Sequence, residues 1–251
     1  MNKINRTTYI FITALLMLTP MYAQIPSPIT LQIGGGIGSV SPRGDFSGTT
    51  MEYYSGTTYG QSGGINYQGK ARLGILGFNI VGEIDYASFS NSGNSEPGKG
   101  SIDISQKVFS MKVGPEFKLN FPLIPLTPYV GANLSLNRFS GDVTFQGVSK
   151  VPSGNFPIKT ESRVGFGFSG GVIFNFAGLS FDVGVQYNML NAFGKSWEDV
   201  NPTQDQRLDS YLALNDDKDP LYSAGSDKHF INNSRSLNSF AITATVMFGL
   251  F

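Results

Sequence analysis

His229 is the only histidine among the 251 residues, and Ser226, Asp227 and Ser234 stand near it in sequence. Serine, histidine and an acid are the parts of a nucleophilic hydrolase, but a triad acts only through mutual hydrogen-bond geometry, which a polar segment does not supply by proximity. The expectation is therefore no catalysis. Asn215, Asp217 and Asp219 occupy the opening ligand positions of a calcium loop, yet Pro220 replaces the required glycine and Ser226 the closing glutamate. A solvated acidic loop is expected there. Gly165, Gly167 and Gly170 spell a dinucleotide fingerprint, but Val172, Ile173 and Phe174 continue at strand period, so the phosphate cradle would lack its helix N-terminus. Neither a metal nor a cofactor is expected.

A second set of ionisable residues is spaced differently. Lys70, Arg72, Lys112, Lys118 and Arg163, with Glu83, Asp85, Glu116 and Asp182, fall on the polar side of stretches whose other side is oily. Five basic against four acidic residues is a nearly balanced set. Unpaired charges in a narrow enclosure are costly, which predicts an ionic, hydrogen-bonded plug; the alternative is a gated polar pathway. A hairpin centred on Ile75 and Leu76 would pair Leu73 with Phe78 and set Lys70 diagonal to Glu83.

The elements that must carry these charges are strands. From Leu179 to Met189 the odd positions are Leu, Phe, Val, Val, Tyr and Met, while the even ones are Ser, Asp, Gly, Gln and Asn. That is period two. Phe78, Ile80, Ile84 and Tyr86 oppose Asn79, Glu83 and Asp85 in the same way, and Phe109, Met111, Val113 and Phe117 oppose Ser110, Lys112 and Glu116. The pattern returns over Val130–Leu136, Val164–Phe176 (with Ile173 out of step) and Phe240–Phe248. With Ile29–Val40 and Ile65–Leu73 this gives eight candidate strands. A soluble sandwich would bury the oily faces against a second sheet, whereas a membrane barrel turns them to lipid.

Connection lengths favour the barrel. Gly74 to Gly77, Asn120 to Leu126 and Ala177-Gly178 are short; Pro42 to Gly64, Asn91 to Asp103, Ser140 to Glu161 and Ala192 to Asn238 are long. Short inner turns alternating with long outer loops are the outer-membrane arrangement. Aromatic residues gather near strand ends, with Phe78, Phe117, Phe174, Phe176, Phe181 and Phe248 on one side and Tyr86, Phe109, Phe166 and Tyr187 on the other. Such belts suit membrane interfaces.

The N-terminus agrees in compartment. Lys3 and Arg6, the apolar run Tyr9 to Leu18 and Met21-Tyr22-Ala23 read as a secretory signal over residues 1–23, leaving residues 24–251 as one barrel domain. The absence of cysteine suits an oxidising periplasm, and equal numbers of basic and acidic residues, 18 each, offer no surface for nucleic acid. With the signal, the strand set, the Gly34–Ser39 opening strand followed by Pro42-Arg43-Gly44-Asp45-Phe46, and Phe251 directly after the last strand, the chain resembles small outer-membrane barrel families. These are the OmpA-like transmembrane domain, OmpW and PorT-like proteins. The resemblance implies an all-β, eight-stranded antiparallel up-and-down barrel in the outer membrane, surrounded by lipid and lipopolysaccharide. It also implies insertion by the barrel assembly machinery, with Phe251 as the C-terminal signal.

Two outer loops are the most individual segments. Tyr53, Tyr54 and Tyr59 lie among small polar residues, which suits an adaptable contact surface for an extracellular or envelope protein, or an ordinary mobile loop. Thr203 and Gln206 have capping-box spacing, followed by Leu208, Tyr211 and Leu212 at helical spacing. That apolar face would pack over the rim or present a patch to a partner. The functional expectation is a structural or loop-mediated interaction role; a narrow conduit for small or hydrophobic molecules and a lipid-modifying enzyme are the alternatives.

Overall fold

Oily and polar residues that alternate at period two can both be satisfied only if each strand separates two environments, and closing the sheet removes its unpaired edges. The computed structural model describes residues 29–75, 78–119, 126–200 and 207–250. Residues 1–23, the Thr203 and Gln206 pair and Phe251 lie outside the described residues. Eight antiparallel strands form a closed barrel in chain order: β1 Ile29–Arg43, β2 Gly64–Ile75, β3 Phe78–Gly93, β4 Ser101–Lys118, β5 Leu126–Gln146, β6 Gly154–Phe176, β7 Leu179–Phe193 and β8 Asn238–Gly249. The β1–β8 seam closes tightly. A β-carbon on Gly34, Gly36 or Gly38 would stand 2.1, 2.4 or 2.2 Å from the carbonyl oxygens of Val246, Ala244 and Ile242, so only glycine allows that approach.

Within the membrane the oily residues face out. Phe117, Val113, Met111 and Phe109 are exposed on β4, while Glu116, Lys112 and Ser110 between them are buried. Register lines up the aromatic belts: Phe78 is opposite Phe117, Phe174 opposite Phe181, and Tyr67, Tyr86 and Phe109 form a row across three strands. From Phe78 to Tyr86, at about 3.3 Å per residue and a tilt of about 40°, the lipid-facing band is about 20 Å tall.

Above that row the polarity of the wall inverts. On β4 the inward residues Val108, Ile104 and Ile102 are apolar and buried, with buried Gln106 between them, and the outward ones are Lys107, Ser105 and Asp103. On β5 they become Phe139, Val143 and Phe145 inward, with Ser140, Asp142 and Thr144 outward. The barrel thus continues past the membrane as a soluble protein does, with water outside and an apolar core inside. This corrects two of the long connections expected from sequence. Most of Ser140 to Glu161 is strand, leaving residues 147–153 as the connection, and Asn91 to Asp103 shrinks to residues 94–100.

The first hairpin is also corrected. Ile75 pairs with Phe78, so Lys70 lies directly opposite Glu83 and not diagonal to it, because only residues 76–77 separate the strands. On the same side Ala177 and Gly178 join β6 to β7 with φ of 52° and 81°, the paired left-handed residues of a two-residue hairpin turn.

Candidate functional site in the lumen and outer cap

Inward positions on β2, β3, β4 and β7 bring most of the predicted charges to one level of the lumen. Lys70 Nζ lies 3.1 Å from Glu83 and 2.9 Å from Asp182. Arg72 grips Glu116 in a fork, Nε to Oε1 at 2.7 Å and Nη2 to Oε2 at 2.9 Å, and its Nη2 also donates to Asp182 at 2.8 Å. Lys112 pairs with Asp85 at 2.9 Å and donates to Gln186 at 2.7 Å, and Gln186 in turn donates to Glu83 at 2.9 Å. The network therefore crosses the lumen from β2 to β7 without a gap.

Tyr129 completes it, a residue that sequence reasoning had not singled out. Its hydroxyl donates to Asp182 at 2.8 Å, and Lys70 and Arg72 lie 5.1 and 5.5 Å from its ring centroid. The signal was present, since Tyr129 is an aromatic residue on the polar side of its strand. Lys118 is half-buried at the inner end and makes no ion pair among the described residues. Arg163 belongs elsewhere. It holds Asp216 through Nε at 3.0 Å and Nη2 at 2.8 Å and also pairs with Glu161, above the membrane-level network.

Asp216 is the centre of an outer cap built from residues 44–63 and 207–237. Besides Arg163 it accepts from Asn191 at 2.9 Å and from the Ser196 amide at 3.0 Å, and it is fully buried. Asp219 is fully buried too, which corrects the expectation of a solvated acidic run: these carboxylates face inward donors, not water. No cluster of three or more metal-ligating side chains occurs among the described residues.

The loop aromatics are likewise inside. Tyr53, Tyr54, Tyr59, Leu208 and Tyr211 are all buried and Leu212 is partly so. Tyr53, Tyr54, Leu208, Tyr211 and Leu212 pack in one cluster with the inverted wall residues Ile102, Ile104, Val143 and Phe145, and Tyr59 in a second with Val108 and Phe139, which together provide the apolar floor. Tyr59 donates to the Leu214 carbonyl at 2.7 Å, Tyr54 to that of Ser149 at 2.9 Å and Tyr211 to that of Tyr54 at 2.5 Å. Arg235 stacks 4.2 Å over Tyr59. Leu208 and Tyr211 sit on a 3₁₀ turn, Arg207–Tyr211, in place of the expected amphipathic helix. A helix does form at Thr50–Tyr54, capped by a Thr49–Glu52 box whose S/T-x-x-E spacing was legible in the sequence.

These features describe a barrel filled by charge in the membrane and by aromatic packing above it. A family model described as outer membrane protein beta-barrel domain matches residues 11–206, well over half of the chain. The chain belongs to that family. Its location is the outer membrane, among outer-membrane lipid and lipopolysaccharide. Among solved structures it is similar to Neisserial surface protein A, at 16% identity and a TM-score of 0.46, covering 88% of this chain and 97% of that one. It is also similar to a major outer membrane protein of Thermus thermophilus, at 15% identity and a TM-score of 0.45, covering 88% and 99%. Ail, the attachment invasion locus protein of Yersinia pestis, matches at 13% identity and a TM-score of 0.35, covering 88% and 97%. No curated protein sequence matches significantly.

Within this outer-membrane barrel the residues considered for catalysis do not assemble as the sequence spacing suggested. His229 Nδ1 lies 2.6 Å from Asp219, not from Asp227, which pairs with Lys150 at 2.8 Å. The Ser226 hydroxyl accepts from the Lys228 and His229 backbone amides at 3.3 and 3.2 Å. It is engaged in a local turn and makes no hydrogen bond to the imidazole. Gly165 and Gly167 lie in β6, where a β-carbon would meet the Met189 carbonyl at 2.3 Å and the Asn188 side chain at 2.8 Å. Their role is close strand packing.

Proposed function

We propose that this family member is a closed, non-catalytic surface barrel whose rigid outer cap presents an interaction face to an extracellular or envelope protein. The observation that carries this reading is the packing of the cap. The buried residues Tyr53, Tyr54, Tyr59, Leu208 and Tyr211 hold it, so the contact role passes to apolar residues left outside, among them Met51, Leu221 and Tyr222, which are 44%, 64% and 36% exposed. A pre-ordered surface loses little conformational entropy on binding, which favours recognition over passage. The charge network across the lumen supports the same reading against a conduit. Removal of residues 1–23 on export and insertion by the barrel assembly machinery belong to this proposal.

The test uses cells lacking the native protein, complemented with wild type, with Leu221→Ser and Tyr222→Ser together, or with His229→Ala. Attachment to other cells or to host surfaces is scored beside barrel abundance and lipid composition. The expected result is loss of attachment with the first variant at unchanged abundance, and no change of lipid composition with the second. Retained attachment in the Leu221/Tyr222 variant, or altered lipid with His229→Ala, overturns it.

A further inference from the structure

The outward face of β3, β4 and β5 is graded with height. Tyr86 and Phe109 form the outer aromatic row, and Arg138 lies opposite Phe109 on β5. One rung higher on β4 stands Lys107, opposite Ser88 and Ser140. Both cations are exposed, and neither makes an ion pair or side-chain hydrogen bond among the described residues. As diagonal cross-strand neighbours on one face their Cα atoms are about 7–8 Å apart, within reach of one shared anion. Arg138 is level with the last lipid-facing aromatic and Lys107 about 7 Å along the strand beyond it, the levels at which headgroup phosphates meet the protein.

Above them a hollow of about 430 Å³ opens on the same face, lined by Ser90, Ser92, Asp103, Ser105, Asp142 and Thr144 among others. Hydroxyls and carboxylates are the groups that hydrogen-bond sugar hydroxyls, and the two carboxylates repel a phosphate from the hollow itself. From the membrane upward the face therefore offers oil, then positive charge, then a hydroxyl-rich groove. A lipopolysaccharide molecule presents acyl chains, then phosphate, then sugar in the same order. A phospholipid has no sugar to fill the groove.

We propose that the outer face of β3–β5 is a docking site for the phosphorylated sugar head of one lipopolysaccharide molecule, with Lys107 and Arg138 holding phosphate and the groove above holding the adjoining sugars. The site is separate from the cap face and binds from the side, in the plane of the membrane.

The folded protein, its fold checked by heat-modifiable gel migration, is compared by native mass spectrometry with lipopolysaccharide, dephosphorylated lipopolysaccharide and phosphatidylglycerol. Wild type should retain one lipopolysaccharide and lose about tenfold in affinity with the dephosphorylated form, the scale of a charge-assisted contact. Lys107→Gln with Arg138→Gln should weaken lipopolysaccharide binding about tenfold or more. Asp142→Ala with Thr144→Val should weaken lipopolysaccharide and leave phosphatidylglycerol unchanged. Arg43→Gln, a basic end-of-strand change elsewhere on the barrel, should have no effect. Undiminished binding in the Lys107/Arg138 variant overturns the site. Equal retention of phosphatidylglycerol, or an equal loss with Arg43→Gln, reduces it to general attraction of anionic lipid and overturns it as well.

Discussion

Arg72 holds the membrane-level lumen together, because among the described residues it alone bonds both Glu116 and Asp182 while lying fully buried. Removing one partner of a buried ion pair leaves the other charge uncompensated, which costs about 3–5 kcal/mol. Arg72→Ala, which leaves buried Glu116 without its ion-pair partner, should therefore lower the stability of the lipid-embedded barrel by about that amount in urea titration, and Lys118→Ala, which breaks no ion pair among the described residues, by well under 1 kcal/mol. In the cap the decisive residues are phenols. Burial holds Tyr53, Tyr59 and Tyr211 above the usual tyrosine range, against a smaller opposing pull from Arg235 on the first two and Arg207 on the third. A folded-state pKa raised above that of the unfolded chain, about 10, gives stability that is complete below that pH and lost as pH rises past it. Proteolysis of residues 44–63 and 207–237 should accordingly accelerate above about pH 10 while the membrane strands stay protected, since there the lipid belt excludes water. Uniform cleavage across that range would contradict the role given to the phenols.

At the scale of the strand, one element serves two solvents. On β5, Leu134 is 62% exposed at the middle of the lipid band, and Thr144 points to the same side above the outer aromatic row. Arginine on the lipid face at mid-depth costs about 2–4 kcal/mol and little beyond the interface. Leu134→Arg should thus cost about 2–4 kcal/mol in refolding into liposomes and Thr144→Arg close to nothing; equal costs would place the rim elsewhere. The same inversion explains how far the sequence could be read. Eight strands, their order and the inward charges are legible because alternation below Phe109 keeps one polarity, with Val81, Ile173 and Met247 as buried apolar exceptions. Above it the inward residues Val108, Ile104 and Ile102 are the oily ones, and short runs such as Ser140-Gly141-Asp142 carry turn composition, so the strand extensions have the sequence pattern of loops. Burial of the cap tyrosines is illegible in sequence for the same reason, since it needs an apolar floor that the inverted wall supplies. Arg163 and Asp216 are far apart in sequence, and no local pattern announces their bond.

For the whole molecule, the two fillings act in series. The ionic network fills the lumen within the membrane, and the aromatic cap lies above it, with no shared residue between the Lys70–Arg72–Glu116–Asp182 group and the cap's Tyr53–Tyr211 packing. If the barrel is solid as proposed, either alone should stop ions, because a narrow barrel interior is just filled by its side chains. Arg72→Ala with Glu116→Ala removes a charge pair together, leaves no orphan from that pair and opens space, yet the cap still seals the mouth. Replacing residues 207–229 by a Gly/Ser turn removes Leu208 and Tyr211 from the cap, yet the network remains. In planar bilayers wild type and each single alteration should be silent, and only the combined variant should conduct. The outcome separates the competing roles: a wild-type current would mean that the lumen is a pathway and the fillings are gates, whereas silence that yields only to the double lesion means that both halves of the barrel are built to be solid, with contact made at their surfaces.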